Sequence, residues 1–176
     1  CVLVAESFSG PLAVTLAARY PARVAGLVLC ASFVSSPLPG WLAWLNHPLW
    51  FRWQPPAWLA ARALAMSDCD PAVVDLLLRT AGGVPAPVLS QRVGQVLRTD
   101  VRRELLEGAP VPLLYLRARR DRLVGSRSWL EIARLRPDAR CVEVDASHFL
   151  LQHRPDECIR AIVDFLCRSH PGNIVG

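Results

Sequence analysis

Residues 2–21 read VLVAESFSGPLAVTLAARYP, and this order of residue types predicts a strand that turns sharply into a helix. The run Val2–Ala5 is apolar and partly β-branched, as strands are, and a helical pattern from Leu12 onward ends at Pro21. Ser7 falls in the turn between the two elements. A tight strand-to-helix turn exposes the side chain at its apex and directs the next backbone N–H toward a developing oxyanion. The stretch therefore predicts a nucleophilic serine at position 7.

The turn departs from the usual pattern of a nucleophile elbow, in which small residues lie two positions before and two positions after the serine. Glycine is usual at both positions, and here they are Ala5 and Ser9. The alternative interpretation is a serine in an ordinary strand–helix loop, and the local pattern alone favours neither. If Ser7 is the nucleophile, the backbone N–H of Phe8 is the predicted oxyanion donor.

The rest of the chain alternates strands and helices. Runs that are apolar on both faces belong to parallel sheets covered by helices on each side, so this alternation predicts an α/β domain. The predicted elements after the first helix are strand Val24–Ala31, strand Val111–Leu116, helix Ser126–Leu135, strand Arg140–Val144 and helix Asp156–Cys167. In the last helix, Ile159, Ile162, Val163 and Leu166 are expected to share the buried face.

A segment of different character, roughly residues 34–107, interrupts this alternation. It is rich in proline at its start and carries five of the six tryptophans. Helical stretches are predicted around residues 57–65, 72–81 and 88–97. The segment is therefore interpreted as a helical excursion from the sheet rather than as a second domain built on strands.

Two polar residues follow later strands in the way that Ser7 follows the first. Asp121 comes five residues after Leu116, and His148 lies between the strand that ends at Val144 and the last helix. Side chains at the carboxyl ends of parallel strands meet at one edge of the sheet. We therefore expect Ser7, Asp121 and His148 to converge, with His148 as the general base and Asp121 as the residue that orients it.

Other acids and histidines fit these roles less well. Asp145 lies only three residues before His148 and is interpreted as a turn former, and the loop after Val24–Ala31 carries no acid. The remaining histidines follow no predicted strand and are interpreted as surface or packing residues: His47, His153 and His170.

With these pieces, the sequence resembles the C-terminal part of an α/β-hydrolase-fold serine hydrolase, from the nucleophile elbow onward. The resemblance rests on VLVAESFSGPLAVTLAARYP, on VAGLVLCASF at 24–33 and on the loops in VPLLYLRARRDRLVGS (111–126) and ARCVEVDASHFLLQHRP (139–155). The order Ser, Asp, His is the order of this fold. Because a serine stands at the nucleophile position, the resemblance excludes the carboxylate nucleophile of the family's dehalogenases and epoxide hydrolases.

The resemblance implies a partial α/β-hydrolase fold with this division: core 1–33, helical cap 34–107, core 108–168 and tail 169–176. It also implies a substrate pocket, for which the candidates are Phe33, Trp44, Trp50 and Phe149. The tryptophans of the cap could line an apolar pocket, form the cap's own small core, or touch lipid. For any single tryptophan, its place in the cap's core is the simplest interpretation.

The implied activity is carboxylic-ester hydrolysis through an acyl-serine intermediate, on a small apolar ester or acyl substrate, with no cofactor and no metal. Relatives with the same three residues act on thioesters or C–C bonds, transfer acyl groups or form peracids. A hydrolase-fold protein can also bind a ligand without turning it over. The cap decides among these alternatives, and one sequence does not reveal what the cap selects.

Composition excludes several other classes. The 176 residues are 52% apolar and carry a net charge of +5, with every basic residue an arginine, but no basic run marks a nucleic-acid partner. No apolar run is long enough to span a bilayer, so no stable membrane insertion is expected. The six cysteines form no zinc-binding pattern, and Cys30 and Cys141 lie in apolar runs, which predicts buried thiols and a cytoplasmic location. The oligomeric state stays open.

The chain starts at Cys1, directly before a strand. By the resemblance, several strands and the loop with the second oxyanion donor precede this point. The strand Val2–Ala5 is then expected at a sheet edge. These 176 residues alone are therefore expected to be poorly soluble and inactive.

Overall fold

The computed structural model describes residues 1–52 and 71–169. Within these ranges, four strands form one parallel sheet in the order β1-β2-β3-β4. The strands are β1 (Val2–Glu6), β2 (Gly26–Cys30), β3 (Leu113–Ala118) and β4 (Arg140–Val144). In this sheet β1 and β4 are the edge strands. Ser7 follows β1 and His148 follows β4, so these two candidate residues start from opposite edges of the sheet.

Helices lie between the strands and after the last of them. They are α1 (Ser9–Arg19), α2 (Pro71–Gly82), α3 (Ala86–Leu97), α4 (Ser126–Leu135), the short α5 (Leu150–His153) and α6 (Pro155–Ser169). Short stretches of tighter or wider helix lie at Pro21–Arg23, Gly40–Leu45, Pro48–Arg52 and Glu104–Gly108. None of the helices in the described ranges combines the length and the apolar character that crossing a membrane requires.

Every residue of β2 is fully buried, as its unbroken apolar sequence predicts. Two apolar cores lie on opposite faces of the sheet. On one face, α1 and α4 pack over side chains such as Leu27, Leu29 and Leu113. On the other face, α6 packs through Cys158 and Phe165. The predicted α/β architecture, with helices on both faces, is confirmed.

Prolines explain where two element boundaries differ from the prediction. The strand expected from Val111 begins at Leu113, because Pro112 has no N–H to donate to a neighbouring strand. The first helix begins at Ser9 rather than Leu12, since proline at position 11 is tolerated within a first helical turn.

The predicted buried face of α6 is partly wrong. Ile159 and Val163 are 57% and 50% exposed, whereas Cys158 and Phe165 are buried. Ile162 and Leu166 are partly buried against the core, as expected. The buried stripe is therefore rotated toward Cys158 and Phe165, since the large Phe165 ring removes more apolar surface from water than a valine does.

Within the described residues, the segment 34–107 consists of helices joined by loops, with one isolated bridge between Ser35 and Asp100. The helices predicted at 72–81 and 88–97 correspond to α2 and α3, while the one predicted at 57–65 lies outside the described residues. The two ends of the segment meet: Ser36 N donates to Thr99 O at 3.0 Å, and Val101 N donates to Val34 O at 2.8 Å. The segment thus leaves the sheet and returns to it at one place.

Candidate active site

Ser7 occupies the sharp turn between β1 and α1. Its φ is 54°, a left-handed conformation that a non-glycine residue adopts at a cost of about 1–3 kcal/mol. Three hydrogen bonds fix this turn: Ser7 N donates to Cys30 O at 2.9 Å, Gly10 N donates to Ser7 O at 3.1 Å, and Ser9 Oγ donates to Glu6 O at 2.7 Å. The sharp strand-to-helix turn predicted at Ser7 is therefore present.

Gly10, in the first turn of α1, packs directly against Ser32, which follows β2. A Cβ placed on Gly10 would lie 1.7 Å from Ser32 Oγ and 2.8 Å from Ser32 Cβ. Ser32 is fully buried, and its Oγ donates to Ser7 O at 2.8 Å. The glycine that this turn needs therefore stands three residues after the serine, which is why the exposed Ser9 is tolerated one position earlier.

Replacing Gly10 with alanine should destabilise the protein by about 1–3 kcal/mol, because the added methyl group must displace the buried Ser32 side chain. The measurement is the free energy of unfolding in urea. Gly40→Ala is the matched control, since nothing lies within 4 Å of the added Cβ, and it should change stability by less than about 0.5 kcal/mol. Equal stability of the two variants would contradict the crowding at Gly10.

His148 reaches Ser7 from the far side of the sheet. The loop after β4 is held against the end of β3, where Arg119 N donates to Val144 O at 2.9 Å and Arg120 N to Ala146 O at 3.0 Å. The His148 ring is buried, and its Nε2 lies 2.7 Å from Ser7 Oγ.

Asp121 completes the arrangement three residues after β3 ends. Its Oδ2 lies 2.8 Å from His148 Nδ1, and its Oδ1 accepts hydrogen bonds from the backbone N–H groups of Leu123 and Val124 at 2.8 and 2.9 Å. The side chains of His148 and Asp121 are only 3% and 2% exposed. A buried carboxylate needs such partners, and here both of its oxygens have them. The predicted proximity of Ser7, Asp121 and His148 is therefore confirmed.

The contacts also fix which nitrogen of a neutral His148 carries its proton. An ionised carboxylate only accepts, so Nδ1 carries the hydrogen that is donated to Asp121. Nε2 is then free to accept the hydrogen bond of the Ser7 hydroxyl. This arrangement can withdraw a proton from Ser7 as its oxygen attacks an electrophile.

The competing residues lie elsewhere. Asp145 is exposed, and its Oδ1 lies 3.2 Å from Arg120 Nε. His47 is exposed and its Nδ1 accepts from Leu49 N at 3.3 Å, while His153 lies half-buried in α5. His170 falls outside the described residues.

The predicted pocket residues have different surroundings. The Phe149 ring packs edge-on against His148, with centroids 5.1 Å apart. Phe33 is buried, whereas Trp44 is 91% exposed and is therefore not packed in a core formed by the described residues. The side chain of Trp50 lies outside the described part of the chain. Contact of these residues with a substrate stays a prediction.

The hydroxyl of Tyr115 in β3 holds Ser32, which in turn is bonded to Ser7 O. Tyr115 is buried in β3, and its hydroxyl donates to Ser32 O at 2.8 Å. Burial raises the pKa of Tyr115, so the phenol remains a donor at neutral pH. Tyr115 and Ser32 were not predicted from the sequence, because a buried tyrosine in an apolar strand gives no sign of its partner.

Burial also raises the pKa of the Cys30 thiol, and that of Cys158 to about 11, so both remain protonated thiols at neutral pH. In the described ranges, no three His, Cys, Asp or Glu side chains are grouped so as to hold a metal ion.

Comparison with known proteins gives one family and a set of similar structures. Residues 1–161 match the sequence model of a family described as the alpha/beta hydrolase family. A search of curated proteins found no match. Three solved structures superpose well: a hydrolase from Pseudomonas aeruginosa PA01 (21% identity, TM-score 0.76), the enol-lactonase from Burkholderia xenovorans LB400 (25%, 0.77) and a thermophilic esterase from Thermogutta terrifontis (23%, 0.77).

The alignments cover 94%, 94% and 96% of this chain, but only 64%, 65% and 65% of those structures. The chain thus spans slightly less than two thirds of their length. At these identities the similarity concerns the fold.

Proposed function

Because the chain belongs to the alpha/beta hydrolase family, we propose that it carries the catalytic residues of a serine hydrolase that cleaves carboxylic esters. The observation that carries the proposal is the continuous hydrogen-bonded series from Ser7 Oγ through His148 to Asp121, with distances of 2.7 and 2.8 Å. The first distance is within the reach that proton transfer from Ser7 to His148 requires, and the second is a hydrogen bond that orients the imidazole.

In the proposed reaction, Ser7 Oγ attacks the ester carbonyl carbon while His148 Nε2 takes the serine proton. The resulting imidazolium is stabilised by the carboxylate of Asp121. The tetrahedral intermediate collapses, the C–O bond to the alcohol breaks, and His148 returns the proton to the leaving oxygen. Water, deprotonated by His148, then attacks the acyl-serine, and release of the acid restores Ser7.

The oxyanion of the intermediate is proposed to accept a hydrogen bond from Phe8 N. Phe8 directly follows the left-handed Ser7 and precedes the first residue of α1. Its backbone N–H therefore stands at the start of a helix, where N–H groups lack helical partners. One such donor contributes about 10²–10³ to turnover.

We propose a small or medium apolar ester as the substrate. A groove of about 580 Å³ lies beside the elbow, and its lining includes Phe8, Leu12, Gln95, Arg98 and Val101. The enol-lactonase and the esterase among the similar structures support an ester or lactone as the electrophile.

Residues 34–107 are proposed to form a cap over this site. Their two ends meet beside the sheet, and Gln95 and Arg98 near the end of α3 help to line the groove next to Phe8. In this proposal the segment selects the substrate, and the core residues perform the chemistry.

The proposal is tested by reacting the full-length protein that carries these residues with a fluorophosphonate probe, in which an activated serine displaces fluoride from phosphorus. Mass spectrometry should place the adduct on Ser7. Hydrolysis rates for p-nitrophenyl esters from acetate to laurate then define the acyl chain that the groove accepts. Labelling without hydrolysis of any ester would favour thioester, C–C or acyl-transfer chemistry, and absence of labelling would favour a binding protein.

We also propose that the 176 residues by themselves turn over little substrate. In the described sheet β1 pairs on one side only, Val4 is 48% exposed, and Phe8 N–H is the one oxyanion donor that we identify. An apolar sheet edge invites association between molecules. Expressed alone, the chain should scatter light and hydrolyse p-nitrophenyl acetate at the background rate. A monomeric and active preparation would contradict this proposal.

A reducing compartment such as the cytoplasm is proposed as the location. Cys30 of β2 and Cys158 of α6 are buried in one apolar core, and their thiols remain protonated. This suits a protein whose cysteines are kept reduced.

A further inference from the structure

Glu6 connects the nucleophile strand with the segment that follows His148. It is the last residue of β1, directly before Ser7, and it is half-buried. Its Oε1 accepts a hydrogen bond from Leu151 N at 3.3 Å, and its Oε2 accepts one from Gln152 Nε2 at 2.9 Å. Both donors belong to α5, which begins two residues after His148.

Such a connection matters because the histidine loop must cross the sheet. β4 and β1 are at opposite edges, so three strand spacings of about 4.8 Å, or roughly 14 Å in total, separate their ends. The loop is anchored to β3 through Arg119 and Arg120. At the β1 end, the segment is bonded to Glu6 through Leu151 and Gln152 and to Ser7 through His148.

The Glu6 carboxylate is half-buried at the end of β1. It lies close enough to the two buried thiols, Cys30 and Cys158, to add to the rise in the pKa of both. It also satisfies the Leu151 N–H in the first turn of α5, a position whose N–H has no partner within the helix. A carboxylate in this place restrains α5, and through it the backbone of His148.

We propose that Glu6 is a positioning residue that holds His148 Nε2 against Ser7 by fixing α5 to the end of β1. This inference rests on the proposed function, because it assigns the role with respect to that reaction. The donors are an uncharged amide and a backbone N–H, so the restraint depends on hydrogen bonding and not on the negative charge.

The test compares Glu6→Ala with Glu6→Gln in the full-length protein, using p-nitrophenyl acetate. Glu6→Ala should lower kcat by about 10- to 100-fold with little change in KM, because a displaced general base slows the chemical step without altering substrate binding. Glu6→Gln should restore most of the lost kcat, since its amide oxygen accepts from Leu151 N and the Gln152 amide can turn to accept from the new amino group. Equal losses of kcat in the two variants would overturn the proposed hydrogen-bonded restraint and would assign the effect to the negative charge of Glu6.

A residue swap sharpens the test. Gln152→Glu places two carboxylates together and should lower kcat, while the double variant Glu6→Gln/Gln152→Glu restores a hydrogen-bonded pair and should recover kcat. Glu143→Ala is the control: it removes an exposed carboxylate of β4 that pairs with Arg117 and should leave kcat unchanged. Failure of the swap to recover activity would overturn the inference.

A second measurement separates this inference from the proposed function. Amide hydrogen exchange of residues 148–153 should be faster in Glu6→Ala than in the parent, whether or not the protein hydrolyses esters. Gln152→Ala, which leaves the Leu151 bond in place, should show a smaller increase. Unchanged exchange in Glu6→Ala would overturn the tether, whereas absence of any Ser7-dependent labelling in the parent would overturn the proposed function alone.

Discussion

Turnover of p-nitrophenyl acetate by the full-length protein should fall by about 10⁶ when Ser7 is replaced by alanine. The reason is that Ser7 Oγ is the atom that forms the acyl bond, and His148 Nε2 lies 2.7 Å away, within reach of the serine proton. Groups that act as one unit lose most of their effect when any one of them is removed. Rates are measured with excess substrate, and the fluorophosphonate adduct is measured in parallel.

The control for this variant is Ser9→Ala, which removes an exposed hydroxyl and its hydrogen bond to Glu6 O but keeps the hydroxyl of Ser7. The Ser9→Ala protein should still be labelled, and the adduct should remain on Ser7. An active Ser7→Ala protein, or an adduct located on Ser9 instead of Ser7, would show that Ser7 is not the nucleophile.

Asp121→Asn should reduce turnover by about 10⁴. Asp121 Oδ1 accepts from the N–H groups of Leu123 and Val124, so an asparagine at this position would direct its oxygen there and its amino group at His148 Nδ1. Nδ1 would then have to accept, and the ring proton would move to Nε2, which could no longer take the proton of Ser7. The loss should appear in kcat, measured with the same ester.

The contrast for this prediction is Asp145→Asn. Asp145 is exposed and contacts Arg120 rather than the imidazole, and an exposed ion pair contributes little. Its replacement should leave the rate near that of the parent. The opposite result, with Asp145→Asn inactive and Asp121→Asn active, would transfer the role of the acid to Asp145.

Much of the architecture follows from the local pattern. β2 is apolar at every position and is buried on both faces, and helix Ser126–Leu135 and strand Arg140–Val144 begin and end where the sequence places them. The buried face of α6 could not be predicted fully, since Ile159 is as apolar as Ile162. Which of them is buried depends on how Phe165 packs against the sheet.

The candidate site, too, could be predicted only in part from the sequence. Ser7, Asp121 and His148 could be identified because each follows a strand of one parallel sheet. Glu6, Gly10 and Ser32 were missed as supporting residues, because their partners lie 22 or more positions away in the chain. A charged residue at the end of an apolar strand, next to a candidate nucleophile, was the available signal for Glu6.

The wide separation of Ser7 and His148 in the chain has a consequence for how the protein folds. The two residues are 141 positions apart. The strands that precede them lie at opposite edges of a sheet whose described pairs are all parallel, and parallel pairs need long crossover connections. Contacts of such long range form slowly, because the entropy of closing the intervening loops must be overcome first. We therefore expect reactivity of Ser7 toward fluorophosphonates to be the last property regained on refolding, after helical circular dichroism has recovered, so that the probe counts only molecules that have completed folding.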